Sequence, residues 1–234
     1  MTSPQIISSF QDYIAAIESY NNSKHDIVLF RGQALNFPLL PAIARADPAI
    51  NTTSTEKKML ADLKRRAPLL VQREFKNDWE WLIFAQHYGL RTRLLDWSSN
   101  PLVALWMACS EKAYMKDNSY VYIFTANNDL LVNLRKNVSP FHNTTTQILQ
   151  PSMNNERIVS QSGWFTAHKY SNSYSKFVSL ERNSKIKQNV TTLEILHNQK
   201  SEILKMLSKL GVNSSTVFPG IEGLCLHLNW TYEV

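Results

Sequence analysis

Apolar residues Ile7, Phe10, Ile14 and Ile17 recur at helical spacing, so the chain's first segment reads as an amphipathic helix over 4–20 that packs on the rest of the protein. It is expected to end near the polar run Asn21-Asn22-Ser23-Lys24. The pattern then changes. Ile27-Val28-Leu29-Phe30 is β-branched and apolar until it meets Arg31 and Gly32, which predicts a buried strand with an arginine at its end. Pro38, Pro41 and Pro48 mark residues 35–50 as an ordered surface loop. Thr53 with Glu56 forms a candidate capping box for a helix that Pro68 kinks or ends. Asp78 is placed to cap a further helix with Trp81, Leu82, Ala85 and Tyr88 on one face and Gly89 as its terminator.

Arg91 to Leu95 reads as a short strand followed by a connection, Asp96-Trp97-Ser98-Ser99. Asn100 and Pro101 supply an N-cap and a first-turn proline for a helix through Ala104, Leu105 and Ala108. Tyr120 to Phe124 is a strand, and Arg157–Gln161 with Trp164–Ala167 reads as two strands or as one interrupted at Gly163. A helix near 199–210 is closed by Gly211, and a terminal helix after Pro219 carries Ile221, Leu224, Leu226 and Leu228. Strands and helices alternate irregularly, without an internal repeat or a dividing linker. The expected architecture is α+β: a single domain over 1–234, with a mixed or antiparallel sheet flanked by helices.

Composition narrows the class. The chain has 234 residues, 44% of them hydrophobic, enough for one substantial core. Its longest apolar run, Leu102 to Cys109, falls well short of the ~20 residues that span a bilayer, and the N-terminus lacks the charged-then-apolar order of a signal peptide. A soluble, cytoplasmic protein without a membrane partner is expected. Cys109 and Cys225 lie in apolar stretches and read as buried thiols. Triplets such as Asn189-Val190-Thr191 are not read as glycosylation sites without a secretory signal. A net charge of +6 and a pI near 9.3 favour anionic partners, either nucleic acid or a phosphate-bearing nucleotide. The densest basic cluster, Lys64-Arg65-Arg66, fits a solvated helix face better than a binding patch.

The chemistry concentrates in two places. A guanidinium after an apolar run, as at Arg31, is costly unless it meets a carboxylate, a phosphate or water. An internal pair with Asp96 or Glu74 would satisfy it as well as a ligand would, and Gln33 adds a neighbouring donor and acceptor. The stretch Gln86 to Trp97 is the densest interleaving of polar and apolar groups in the chain. Within it, His87 at a helix C-terminus reads as a dipole partner before a catalyst, and it lacks the companion spacing of a metal site. A Gly-rich phosphate loop, HExxH, Gly-x-Ser-x-Gly and paired cysteines are all missing, which leaves hydrolase, P-loop and metal readings unsupported.

Leu29-Phe30-Arg31-Gly32-Gln33, followed by Gln86-His87-Tyr88-Gly89-Leu90, Thr92 to Ser98 and Asn100-Pro101-Leu102, resembles the FRG domain, a family named for Phe-Arg-Gly. The similarity extends to Arg157-Ile158, Gln161, Gly163 and Phe165, and to Phe218-Pro219-Gly220-Ile221-Glu222-Gly223-Leu224. This resemblance implies a bacterial protein of mobile or phage-defence settings, such as a toxin or defence effector, whose antitoxin or other partner protein is left open. The element order is also similar to the ADP-ribosyltransferase plan. There, an Arg or His on the first strand, a Ser-Thr-Ser strand before a helix, and a late Glu hold NAD and assist glycosidic cleavage. On that plan Arg31 is the first element, and Asp96 to Ser99 loosely occupy the second. Glu156, Gln161 and Glu222 compete for the third, without a Glu-x-Glu pattern. Phe30, Gln33, His87, Tyr88, Arg91, Arg93, Asp96, Trp97, Ser98 and Arg157 are the expected substrate and cofactor contacts, with Trp97 as the aromatic wall and no metal. Two other readings stay open. One is a non-catalytic nucleotide- or nucleic-acid-binding module in which Arg31, Arg91 and Arg93 hold phosphates. The other is an interaction domain whose polar motif only cross-links the core.

Overall fold

The computed structural model describes residues 3–21, 25–134, 139–142, 145–153 and 155–232. Asn22, Ser23 and Lys24, where the first helix was expected to end, lie outside the described residues. The described elements form an α+β fold around one mixed sheet of seven strands. In chain order these strands are β1 (Gln5–Ile7), β2 (Ile27–Gln33), β3 (Leu94–Ser98), β4 (Ser119–Ala126), β5 (Gln147–Leu149), β6 (Gly163–Ala167) and β9 (Val190–Ile195). A separate small ladder pairs β7 (Tyr170–Ser171) with β8 (Lys176–Phe177). The sheet order is β1-β9-β4-β2-β3-β6-β5. Only β1 against β9 is parallel among its strand pairs. No helix among the described residues is long and apolar enough to cross a membrane.

Alternation along the strands distributes the core. Phe30, Val121 and Ile123 point to one face, where α1 (Phe10–Asn21), α4 (Pro101–Cys109) and α6 (Lys200–Lys209) cover them. Leu29, Leu95, Trp97 and Phe124 point to the other face with Leu39 and Leu180. Leu94 and Phe165 pack with Leu60 of α2 (Thr53–Arg66) and Trp79 and Leu82 of α3 (Asp78–His87). Asn100 Oδ1 accepts from the Leu102 and Val103 amides, and Pro101 follows, so α4 starts where its N-cap chemistry places it. Gly89, at φ +88°, and Gly211, at φ +81°, follow α3 and α6 as terminators.

Several expectations are corrected by tertiary context. Ile7 is buried in a strand rather than a helix, because Gln5–Ile7 pairs with Leu193–Ile195 and α1 begins only at Phe10. Arg31 is not at the end of its strand: β2 runs on to Gln33, paired with β4 along all seven residues. Glu56 caps nothing, since the N-cap Thr52 makes no side-chain cap bond and Glu56 turns inward. Asn77, not Asp78, caps α3, accepting from the Glu80 amide, and Trp79 takes the buried position expected of Tyr88. The strand expected over 91–95 is shifted to Leu94–Ser98, which puts Asp96, Trp97 and Ser98 in the sheet. Arg157–Gln161 is not a strand. Asn155 Oδ1 accepts from the Arg157 amide and starts the short helix α5 (Glu156–Ser160). Cys109 is buried but Cys225 is exposed, on α8 (Ile221–Thr231), which follows the short α7 (Ser214–Val217).

A cleft where two strands part

The sheet opens at its centre. Between β2 and β3 the paired residues are Phe30 and Ser98 alone, whereas β3 pairs with β6 over five positions. Beyond that bridge, Arg31–Gln33 and Leu94–Trp97 diverge. Arg31 reaches across the gap, and its Nη1 donates to the Asp96 carbonyl at 2.8 Å. The same nitrogen stands 3.9 Å from the Asp96 carboxylate, with 14% of the Arg31 side chain and 58% of the Asp96 side chain exposed. The buried Arg31 Nε has no partner among the described residues. Burial pulls the Arg31 pKa down to about 10, with Asp96 opposing and Arg45 adding to the shift, so the group stays charged at neutral pH.

Asp96 is held from its other side. Gln86 Nε2 donates to its Oδ1 at 2.7 Å, the Thr92 hydroxyl bonds Gln86 Oε1, and Thr92 Oγ1 accepts from the Leu94 amide at 3.1 Å. This chain ties the end of α3 to the start of β3. Ser98 Oγ donates to the Gln161 carbonyl at 2.7 Å, and Gln161 Nε2 donates to the Val217 carbonyl at 3.2 Å. The turn that precedes β6 is thereby fixed against β3.

Arg31, Gln86, Asp96, Ser98 and Gln161 line a cleft of about 780 Å³. Of the expected residues, Phe30, Arg31, Gln33, His87, Asp96, Trp97, Ser98, Arg157 and Gln161 border it. Trp97 supplies no free ring face, because its buried indole donates to Thr166 Oγ1 at 3.0 Å and packs on Phe124. Phe37, Phe84, Trp164 and Phe218 supply aromatic surface in its place. Burial and the nearby Arg157 charge lower the His87 pKa. Gln33 spends its amide on the Phe37 carbonyl at 2.9 Å, bracing the loop.

The remaining expected residues lie elsewhere. Arg93 is buried, with Nε 2.8 Å from Glu56 Oε2, its backbone amide 2.7 Å from Glu56 Oε1 and its guanidinium over the Phe141 ring, so it cross-links α2 to β3 and cannot reach a phosphate. Arg91 is exposed and borders neither this cleft nor its neighbour. Glu156, Glu222 and the exposed Tyr88 border a second hollow, which shares His87, Asn155, Arg157 and Phe218 with the cleft. Arg157, stacked on Phe218 at 4.9 Å, stands where the two adjoin. Sequence reasoning missed Arg45, Arg73 and the four aromatic residues. Pro41 and Pro48 on either side of Arg45 marked an ordered loop, the one signal that pointed there.

Residues 26–117 match the family model described as FRG domain. The chain carries an FRG domain. The matched segment runs from β2 through α4 and so contains Arg31, Gln86, Asp96 and Ser98. Arg157, Gln161 and the Phe218–Leu224 stretch lie beyond it, although Gln161 and Phe218 border the FRG cleft. No curated protein and no solved structure matches the chain.

Proposed function

We propose that the FRG cleft binds NAD and that the protein transfers ADP-ribose from it, as a bacterial toxin or phage-defence effector. The observation that carries this reading is Arg31. A guanidinium at the parting of two strands, with its Nε unpartnered, borders a cleft of about 780 Å³, within the range of small-molecule sites. Phosphate oxygens suit the geometry of the planar fork that Arg31 brings to the cleft. In support, Arg31 on β2, Asp96–Ser98 on the neighbouring β3 and Gln161 in the turn before β6 all border one cleft.

When bound, NAD supplies a nicotinamide–ribose bond that breaks with its electron pair leaving on nicotinamide, while an acceptor nucleophile bonds the ribose carbon and loses its proton. Arg31 anchors the phosphates in this scheme. Phe84 or Trp164 offers a face to the nicotinamide ring. Gln161, with its amide nitrogen on Val217, has Oε1 left for a ribose hydroxyl. Asp96 presents a carboxylate inside the cleft toward the positive charge that develops on the sugar.

One observation favours a second reading, a non-catalytic nucleotide-binding module. Glu156 and Glu222, the late glutamates expected to assist cleavage, border the neighbouring hollow instead, and the late group inside the cleft is a neutral amide. Calorimetry with NAD and chromatographic detection of released nicotinamide separate the two. The transferase reading expects binding and release, both lost in Arg31→Lys, because lysine keeps the charge without the fork. Binding without release or target modification leaves the module. No heat at millimolar NAD removes the reading.

A further inference from the structure

We infer that Arg31 and Arg45 together grip a diphosphate, so that the cleft selects nucleotides with a diphosphate linkage over monophosphates. The inference deepens the nucleotide-binding reading and rests on it only for the identity of the site.

Arg45 borders the same cleft as Arg31 but enters it from a different element, the loop between β2 and α2. That loop is built into the fold. The Ile43 amide donates to the Thr92 carbonyl at 3.3 Å, and the Leu39 amide to Glu181 Oε2 at 3.2 Å. Leu40 and Ala44 are buried against Phe177. Arg45 caps the end of the 3-10 turn Ala42–Ala44, and its Nε donates to the Leu40 carbonyl at 3.1 Å, which fixes the guanidinium to the wall of the cleft.

The two arginines differ in depth. Arg31 is largely buried at the strand gap, while Arg45 is exposed at the rim. Asp96 stands 3.9 Å from Arg31, and among the described residues no ion pair involves Arg45. The Arg45 charge also disfavours the protonated form of Arg31, a repulsion that a polyanion between them would relieve. A ligand that answers a deep guanidinium and a rim guanidinium at once carries negative charge at two linked points, as a diphosphate does.

Titration calorimetry on the full chain tests this with ADP, AMP and inorganic pyrophosphate as probes, beside melting curves. The wild-type protein is expected to bind ADP at least tenfold more tightly than AMP and to bind pyrophosphate. Arg45→Gln, which keeps a donor for Leu40 and removes the charge, should lose at least tenfold toward ADP and pyrophosphate. Its AMP affinity should stay within about twofold and its melting temperature should not change. Arg45→Ala serves as the second variant with the same expectation. Equal affinity for ADP and AMP, absence of ADP binding, or wild-type ADP affinity in both variants overturns the inference. A protein that binds ADP through Arg45 but neither binds NAD nor releases nicotinamide from it keeps the grip and loses the transferase reading.

Discussion

Two arginine–carboxylate pairs of this chain look alike in sequence and behave differently. Arg93 and Glu56 are both buried, share two short hydrogen bonds and are closed over by Phe141. Removing one partner of such a pair strands a charge in the interior, so Glu56→Ala should cost about 3–5 kcal/mol in urea denaturation. A loss under about 1 kcal/mol would mean that water reaches Arg93. Asp96 is different. Its carboxylate is more than half exposed, and the shorter bond from Arg31 goes to its backbone carbonyl, which every substitution retains. Asp96→Ala should therefore cost only about 0–1 kcal/mol, a value typical of exposed pairs, although a fully buried pair would have implied several times more. The same variant should lose nicotinamide release under the transferase reading, and the small stability change lets that loss be assigned to chemistry. For Gln161→Ala, ligand binding should weaken by about 1–2 kcal/mol. A drop in melting temperature with unchanged ligand affinity would assign Gln161 to holding Val217 instead.

At the scale of elements, α4 packs backbone to backbone on β2 beside the cleft. A Cβ on Gly32 would sit 1.9 Å from the Ala104 carbonyl oxygen and 2.6 Å from the Ala108 amide nitrogen, both backbone atoms that cannot rotate away. Gly32→Ala should destabilise the fold on the order of 3 kcal/mol or more, read in the same denaturation experiment, and near-wild-type stability would show that α4 can shift. The glycine after Arg31 thus reads in sequence as punctuation and in the structure as a contact. Helices with strong end signals were legible: Asn100-Pro101 before α4, Gly89 after α3, Gly211 after α6. The β-branched pair Ile158-Val159 suggested a strand, but the Asn155 cap decided for helix, and Gln161 became a turn residue whose carbonyl meets Ser98. The register of β3 was not legible, because pairing with β6 some 69 residues away, as between Asp96 and Phe165, selects Leu94–Ser98 over the expected Arg91–Leu95. For the same reason Arg93 could not be distinguished from Arg31. Its partner is 37 residues distant, and only the folded chain reveals which guanidinium is closed in against a buried carboxylate.

For the whole molecule, the +6 charge does not gather on the cluster that looked most basic, since Lys64 pairs with Asp78, and Arg65 and Arg66 pair with Asp62. Two guanidiniums, Arg31 at the cleft and Arg93 in the interior, act together on His168. His168 follows β6, is buried, and has Nε2 3.0 Å from Thr166 Oγ1, the hydroxyl that also accepts from Trp97. Arg31 on β2 and Arg93 before β3 bear on it, and a backbone group of Val178 acts weakly in the opposite sense. Burial first, then the two guanidiniums, push its pKa from 6.5 down to about 3. The folded state therefore keeps the ring neutral while the unfolded chain takes up a proton. Stability from this group is complete above pH 6.5 and is lost as pH falls from 6.5 toward 3, at about 1.4 kcal/mol per pH unit. His87, also lowered, contributes in the same direction, so the wild-type slope alone does not isolate His168. His168→Gln does: its amide can reach Thr166 but does not titrate, and its stability between pH 6.5 and 5 should fall less steeply than wild type by about one proton's worth. Parallel slopes in the two proteins would show that the folded His168 protonates as readily as the unfolded one, and that the polar layer beneath the cleft is open to water.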